Sequence, residues 1–163
     1  MLEFPCALRQ GAANSTAMSL FHKIEENAGP VTFTDKESAL ALLFLAVTCD
    51  GSIAPEEEEI VITASNRMKL LRDLGIPEFN AVVQKVRDAI DAEGREAVFA
   101  AGVKGLPLEL GYTVYALAGD IVFAEGVAKP GETDFLRQIQ EALSVPDDLA
   151  TKILEVMQIK NRG

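Results

Sequence analysis

The chain has 163 residues, enough for one domain that buries its own core without staples. Its formal net charge of −10 argues against nucleic acid and against electrostatic binding to an anionic membrane, since both need clustered Lys and Arg. A composition of 48% hydrophobic and 25% charged residues is ordinary for a globular protein, and two cysteines, Cys6 and Cys49, are too few for a disulfide framework.

The N-terminal stretch has an early Glu3, a Pro5 and no long apolar run, so it does not read as an export signal. Asn14 is placed to cap a first helix over roughly 15–28, ending near Gly29-Pro30. His22, the sole histidine, lies in that helix without a partner at catalytic spacing and reads as a surface residue. Thr34-Asp35-Lys36-Glu37 then forms a capping-box pattern. It opens a helix over about 35–49 that is apolar nearly all round, the pattern of a helix at the centre of a bundle. The apolar run Ala39–Val47 is too short to span a bilayer, so no membrane insertion is expected. Cytoplasmic residence is the expectation.

Pro55 suits the first position of the next helix, about 55–74, with Ile60, Ala64, Met68, Leu71 and Leu74 as its inward stripe. Gly75 stops it. Pro77 opens a helix through Val82, Val83, Val86 and Ile90, and a short helix from about Arg95 to Val103 follows. Pro107 opens a long helix to about Ala124, Pro130 one to about Leu143, and Pro146 the last, to about Gln158. Seven to eight helices and no convincing strand predict an all-α bundle.

The chain also repeats itself. Asp50-Gly51-Ser52-Ile53-Ala54-Pro55-Glu56-Glu57-Glu58-Glu59-Ile60 aligns with the segment 75 residues later, Glu125-Gly126-Val127-Ala128-Lys129-Pro130-Gly131-Glu132-Thr133-Asp134-Phe135. Acid-Gly, Pro, Glu57/Glu132, Glu59/Asp134 and Ile60/Phe135 coincide. Leu74-Gly75-Ile76-Pro77-Glu78 matches Leu143-Ser144-Val145-Pro146-Asp147, which places a six-residue deletion within the middle helix of the second copy. The repeating unit is helix, acidic loop, helix, turn, helix. A single domain over 1–163 is expected, with an extension at 1–34, repeat one at 35–106 and repeat two at 107–163.

An apolar helix followed by acid-Gly-x-x-x-Pro-x-Glu, twice in a helical chain, resembles the tellurite-resistance TerB-like family. LLFLAVTCDGSIAPEEEEIV and IVFAEGVAKPGETDFL carry the resemblance, which covers roughly residues 35–158. It implies an all-α fold of two related halves. It implies a cytoplasmic, non-enzymatic component of bacterial tellurite- and stress-response systems, with other proteins of those systems as partners. It also implies metal binding at the acidic positions, which here are Asp50 and Glu57, and Glu125 and Glu132. Glu125 departs from Asp50 by one methylene, which changes the reach to a shared cation.

The residues themselves leave three readings open. Acid-Gly is common where a helix ends, and glutamates in a first turn favour the helix N-terminus. Asp50 and Glu57 flank a tight loop, and carboxylates with loop carbonyls suit calcium, magnesium or manganese. One histidine and no cysteine cluster disfavour zinc. The loop is not an EF-hand: counting Asp50 as position 1, position 12 is Val61, and from Glu125 it is Leu136, where that motif needs Glu. A basic protein surface docking on the same acids is the third reading. Asp120, in an apolar helix, either faces solvent or supports the Glu125 loop. Tyr112 and Tyr115 read as packing residues. No nucleophile set, phosphate loop or organic-cofactor motif is present, so no enzyme activity is expected.

Overall fold

The computed structural model describes residues 31–49 and 55–162, with 55–58 as backbone only. The expected first helix with His22, together with Cys6, Asp50 and the side chain of Glu57, lies outside the described residues. Among the described residues there are seven α-helices: α1 Asp35–Val47, α2 Pro55–Arg67, α3 Ile76–Glu93, α4 Arg95–Gly105, α5 Gly111–Val122, α6 Pro130–Ala142 and α7 Asp147–Lys160. A single 3-10 turn, Leu108–Leu110, precedes α5, and there is no strand among the described residues. The all-α expectation holds.

The order of elements follows from local chemistry. Thr34 Oγ1 accepts from the Glu37 N–H at 3.4 Å, and Glu37 Oε2 accepts from the Thr34 N–H at 2.8 Å, completing the capping box that starts α1. Nine consecutive residues of α1, Ser38 to Ala46, are buried. No single stripe reaches the core because every face is core, and α1 packs against α2, α3, α4, α5 and α6. Prolines open α2 and α6, as the sequence predicts.

Three boundaries differ from expectation. Helix α2 ends at Arg67, not near 74, and residues 68–73 continue as turns held by bonds from Met68 N to Ser65 O, Leu71 N to Met68 O and Leu74 N to Leu71 O. Buried Val61, Ala64, Met68 and Leu71 fall about three apart, and the i→i+3 turns keep the last two pointing inward. The inward stripe therefore includes Val61, while Ile60 and Leu74 are only half-buried. Second, α2 and α6 are both 13 residues long. The six residues absent from the second copy thus correspond to the 68–73 turns and not to the interior of a helix. Third, Pro107 opens a 3-10 turn and α5 proper starts at Gly111. A Cβ on Gly111 would stand 3.6 Å from both Leu143 Cβ and Leu143 O, so α5 begins against the end of α6.

The last helix lies along α5. A Cβ on Gly119 would meet Leu154 Cδ2 at 2.9 Å, which shows how closely α7 approaches there. No helix among the described residues is long and apolar enough to cross a membrane.

Candidate functional site

The two acidic junctions are built alike in length, with seven residues between Val47 and Pro55 and seven between Val122 and Pro130. The start of α6 comes close to the end of α1. A Cβ on Gly131, in the first turn of α6, would lie 3.9 Å from the carbonyl oxygen of Cys49, the residue immediately before Asp50.

The end of α1 is held by a residue that sequence reasoning missed. Arg95, the first residue of α4, donates from Nη1 to Thr48 Oγ1 at 3.0 Å and from Nη2 to the Leu45 carbonyl at 3.2 Å. Thr48 Oγ1 in turn donates to the Phe44 carbonyl at 2.9 Å. A guanidinium on the last carbonyls of a helix satisfies orphan acceptors and complements the negative end of the helix dipole. It fixes the last turn of α1 and Thr48 against the start of α4. A groove of about 620 Å³ opens next to it, floored by Leu45, Phe99 and Phe135 and bordered by Cys49, Arg95 and Gly131. Phe99 and Phe135 meet edge to face, with ring centroids 6.1 Å apart.

At the second junction the expected ligands are visible. Glu125 has a side chain 76% exposed, and its Oε2 lies 3.7 Å from Lys129 Nζ. Glu132 has a side chain 18% exposed, and its Oε2 accepts from the Lys129 backbone N–H at 2.6 Å, capping α6. Its Oε1 faces Lys129 Nζ at 4.0 Å. Glu125 and Glu132 are thus gathered around one ammonium group. Among the described residues no group of three or more His, Cys, Asp or Glu side chains comes together in the manner of a metal site. Asp50 and the Glu57 carboxylate lie outside the described residues, while the backbone of Glu57 sits in the first turn of α2.

Asp120 neither faces solvent nor supports the Glu125 loop. It is 9% exposed and binds Arg67 of α2 and Lys160 of α7, the latter at 2.5 Å, with Asn161 Nδ2 donating at 3.1 Å. Burial pushes its carboxyl pKa up. The hydrogen bonds from Lys160 and Asn161 and the charges of Lys160 and Arg67 outweigh that and hold it below the usual carboxylate value. The partners stand 53 and 40 residues away in sequence, so an acid in an apolar helix was the only signal available. Tyr115 is fully buried as expected, but Tyr112 is 48% exposed because it lies off the face formed by Val114, Tyr115, Ala118 and Val122.

The chain matches no family model, no curated protein and no solved structure at a significant level.

Proposed function

We propose that this chain is a non-enzymatic binding module of the TerB-like type that takes a divalent cation at its acidic helix junctions. The observation that supports the reading is the approach of the α6 first turn to the end of α1, where a Cβ on Gly131 would lie 3.9 Å from the Cys49 carbonyl oxygen. Asp50 and Glu57 are the proposed ligands at the first junction, and Glu125 and Glu132 are the corresponding residues at the second. Oxygen donors of this kind suit calcium, magnesium or manganese. Arg95 is a positioning residue: it fixes the end of α1, the helix that precedes the first loop. The proposed partners are other components of a tellurite- or stress-response system, which would read the cation-stiffened face.

Amide spectra of the full chain with millimolar calcium or magnesium test this directly. Resonances around residues 48–60 shift in the wild type and stay in place in Asp50→Asn/Glu57→Gln. Unchanged loop amides in the wild type sink the reading.

A second reading has one observation in its favour. Glu125 and Glu132 already share the Lys129 ammonium, which suits a metal-free acidic face that docks a basic protein surface. Such complexes weaken with salt and survive chelation. A complex that dissolves on adding chelator rules this second reading out.

A further inference from the structure

We propose that the chain forms a two-fold dimer in which an exposed face of α7 packs antiparallel against α7 of a second copy. The proposal does not depend on cation binding.

Of the fourteen residues of α7 only Ala150 is buried. The helix packs on α5, where a Cβ on Gly119 would stand 2.9 Å from Leu154 Cδ2 and 3.8 Å from Met157 Cγ. Lys160 and Asn161 tie its end to Asp120. Ala150, Leu154, Met157 and Asn161 thus mark the side turned to α5. A second stripe runs beside it: Leu149, Lys152, Val156 and Ile159, spaced three, four and three. This is the spacing by which one helix meets another in a coiled coil. Val156 is 56% and Ile159 66% exposed, and Leu149 is half-buried. Among the described residues, α7 is the one helix that exposes two large apolar side chains.

The charges beside this stripe indicate what covers it. Asp148, Glu155 and Arg162 follow one flank at intervals of seven, so the flank begins acidic and ends basic. All three are exposed. Asp148 lies 3.5 Å from Lys152 Nζ, an exposed pair that contributes little by itself. Laid antiparallel on a copy of itself, the stripe sets Leu149 against Ile159 and Lys152 against Val156, each pair occurring twice. The same register brings Asp148 beside Arg162 at both ends and Ile153 towards its own copy near the two-fold axis. Glu155 also falls near the axis, within reach of the facing Lys152, whose stem covers Val156. A parallel arrangement would instead gather the two acidic ends together and the two basic ends together, with the helix dipoles aligned. A surface whose one end complements its other end fits a second copy of the same chain. The net charge of −10 and the acids of this flank oppose an anionic membrane as the occupant. Two helices of fourteen residues meet over about 21 Å, so the dimer is weak and concentration-dependent.

Sedimentation equilibrium of the full chain, with chelator present and from micromolar to near-millimolar concentration, tests the proposal. The mean mass of the wild type rises towards that of two chains. Val156→Asp, at an exposed position, melts with the wild type and keeps the mass of one chain. Arg162→Asp makes both ends acidic and weakens association roughly tenfold, and adding Asp148→Arg restores it. A wild type that keeps the mass of one chain throughout overturns the proposal and leaves the stripe to a different protein. A dimer that Val156→Asp leaves intact overturns it as well. If Val156→Asp melts below the wild type, the charge pair decides: a double variant that associates no more tightly than Arg162→Asp alone contradicts the antiparallel contact.

Discussion

Asp120 is the residue on which three helices meet, since Arg67 closes α2 and Lys160 and Asn161 close α7 over it. Asp120→Asn keeps the shape and removes the charge. Hydrogen bonds to charged groups contribute about 1.5–3 kcal/mol, and the half-exposed Arg67 and Lys160 regain water when released, so a loss of about 2 kcal/mol at pH 7 is expected. The sign of the pH dependence follows from the depressed pKa. The contribution is complete above the unfolded carboxylate value and disappears as pH falls through the lower folded value. Urea unfolding at pH 7 and at pH 3 checks this: the gap between wild type and Asp120→Asn narrows in acid, and an unchanged gap would mean the charge is not the cause. Glu37 behaves in the same direction. Burial raises its pKa, but the Lys85 hydrogen bond at 2.8 Å and the Thr34 bonds outweigh it and leave it lowered. Tyr115 gives the opposite case. Burial pushes its pKa up to about 12, and its fully buried hydroxyl has no hydrogen-bond partner among the described residues. Tyr115→Phe removes an unsatisfied group, so the variant melts at or above wild type, with a gain of up to about 1 kcal/mol. A loss of more than 1 kcal/mol would reveal a partner.

Helix α4 shows how an element can override propensity. Gly105 ends it, and alanine there would ordinarily favour a helix by about 1 kcal/mol. A Cβ at this position would stand 2.7 Å from the Phe33 carbonyl oxygen and closer still to Ser38 Oγ. Overpacking against backbone has no soft exit, so Gly105→Ala is expected to destabilise by about 2 kcal/mol, measured by thermal or urea unfolding. A neutral result would mean that the segment before α1 moves freely off α4. The same element marks the limits of sequence reading. The capping box at Thr34, the proline starts of α2 and α6 and the apolar run of α1 were legible because they are local. The end of α2 was not, because continued helix and i→i+3 turns both satisfy apolar residues three and four apart. Arg95 was not either, since its acceptors, Thr48 Oγ1 and the Leu45 carbonyl, lie 47 and 50 residues away. Arg95→Ala should cost about 1–3 kcal/mol through those two lost bonds, and it should loosen the amides of residues 45–49 in hydrogen exchange before the rest of the bundle. Uniform loss of protection would contradict a local role.

At the scale of the molecule, one all-buried helix organises the bundle, and both acidic loops leave from the helices packed beside each other at its centre, α1 and α5. This placement joins the fold to the proposed function. The two junctions are equal in length, and Gly131 at the start of α6 lies close to Cys49 at the end of α1. A net charge of −10 means that the molecule as a whole attracts cations and basic surfaces. What the sequence could not tell is how each carboxylate is used. Glu132 serves as a cap, and Glu125 pairs with Lys129, because a lysine four residues on from an acid and three before another falls between them once the proline starts the helix. Five acids at 50–59 have no such internal base.

Thermal melting after chelation, then with calcium, magnesium or manganese, compared between wild type and Asp50→Asn/Glu57→Gln, addresses the central claim most directly. At about 100 times the dissociation constant one bound ion adds roughly 2.7 kcal/mol. For a domain of this size that raises the midpoint by about 5–11 °C. The account predicts this rise in the wild type and its absence in the variant. No rise in the wild type, with the variant melting alongside it, would contradict cation binding and leave the first acidic loop as the N-terminal punctuation of α2.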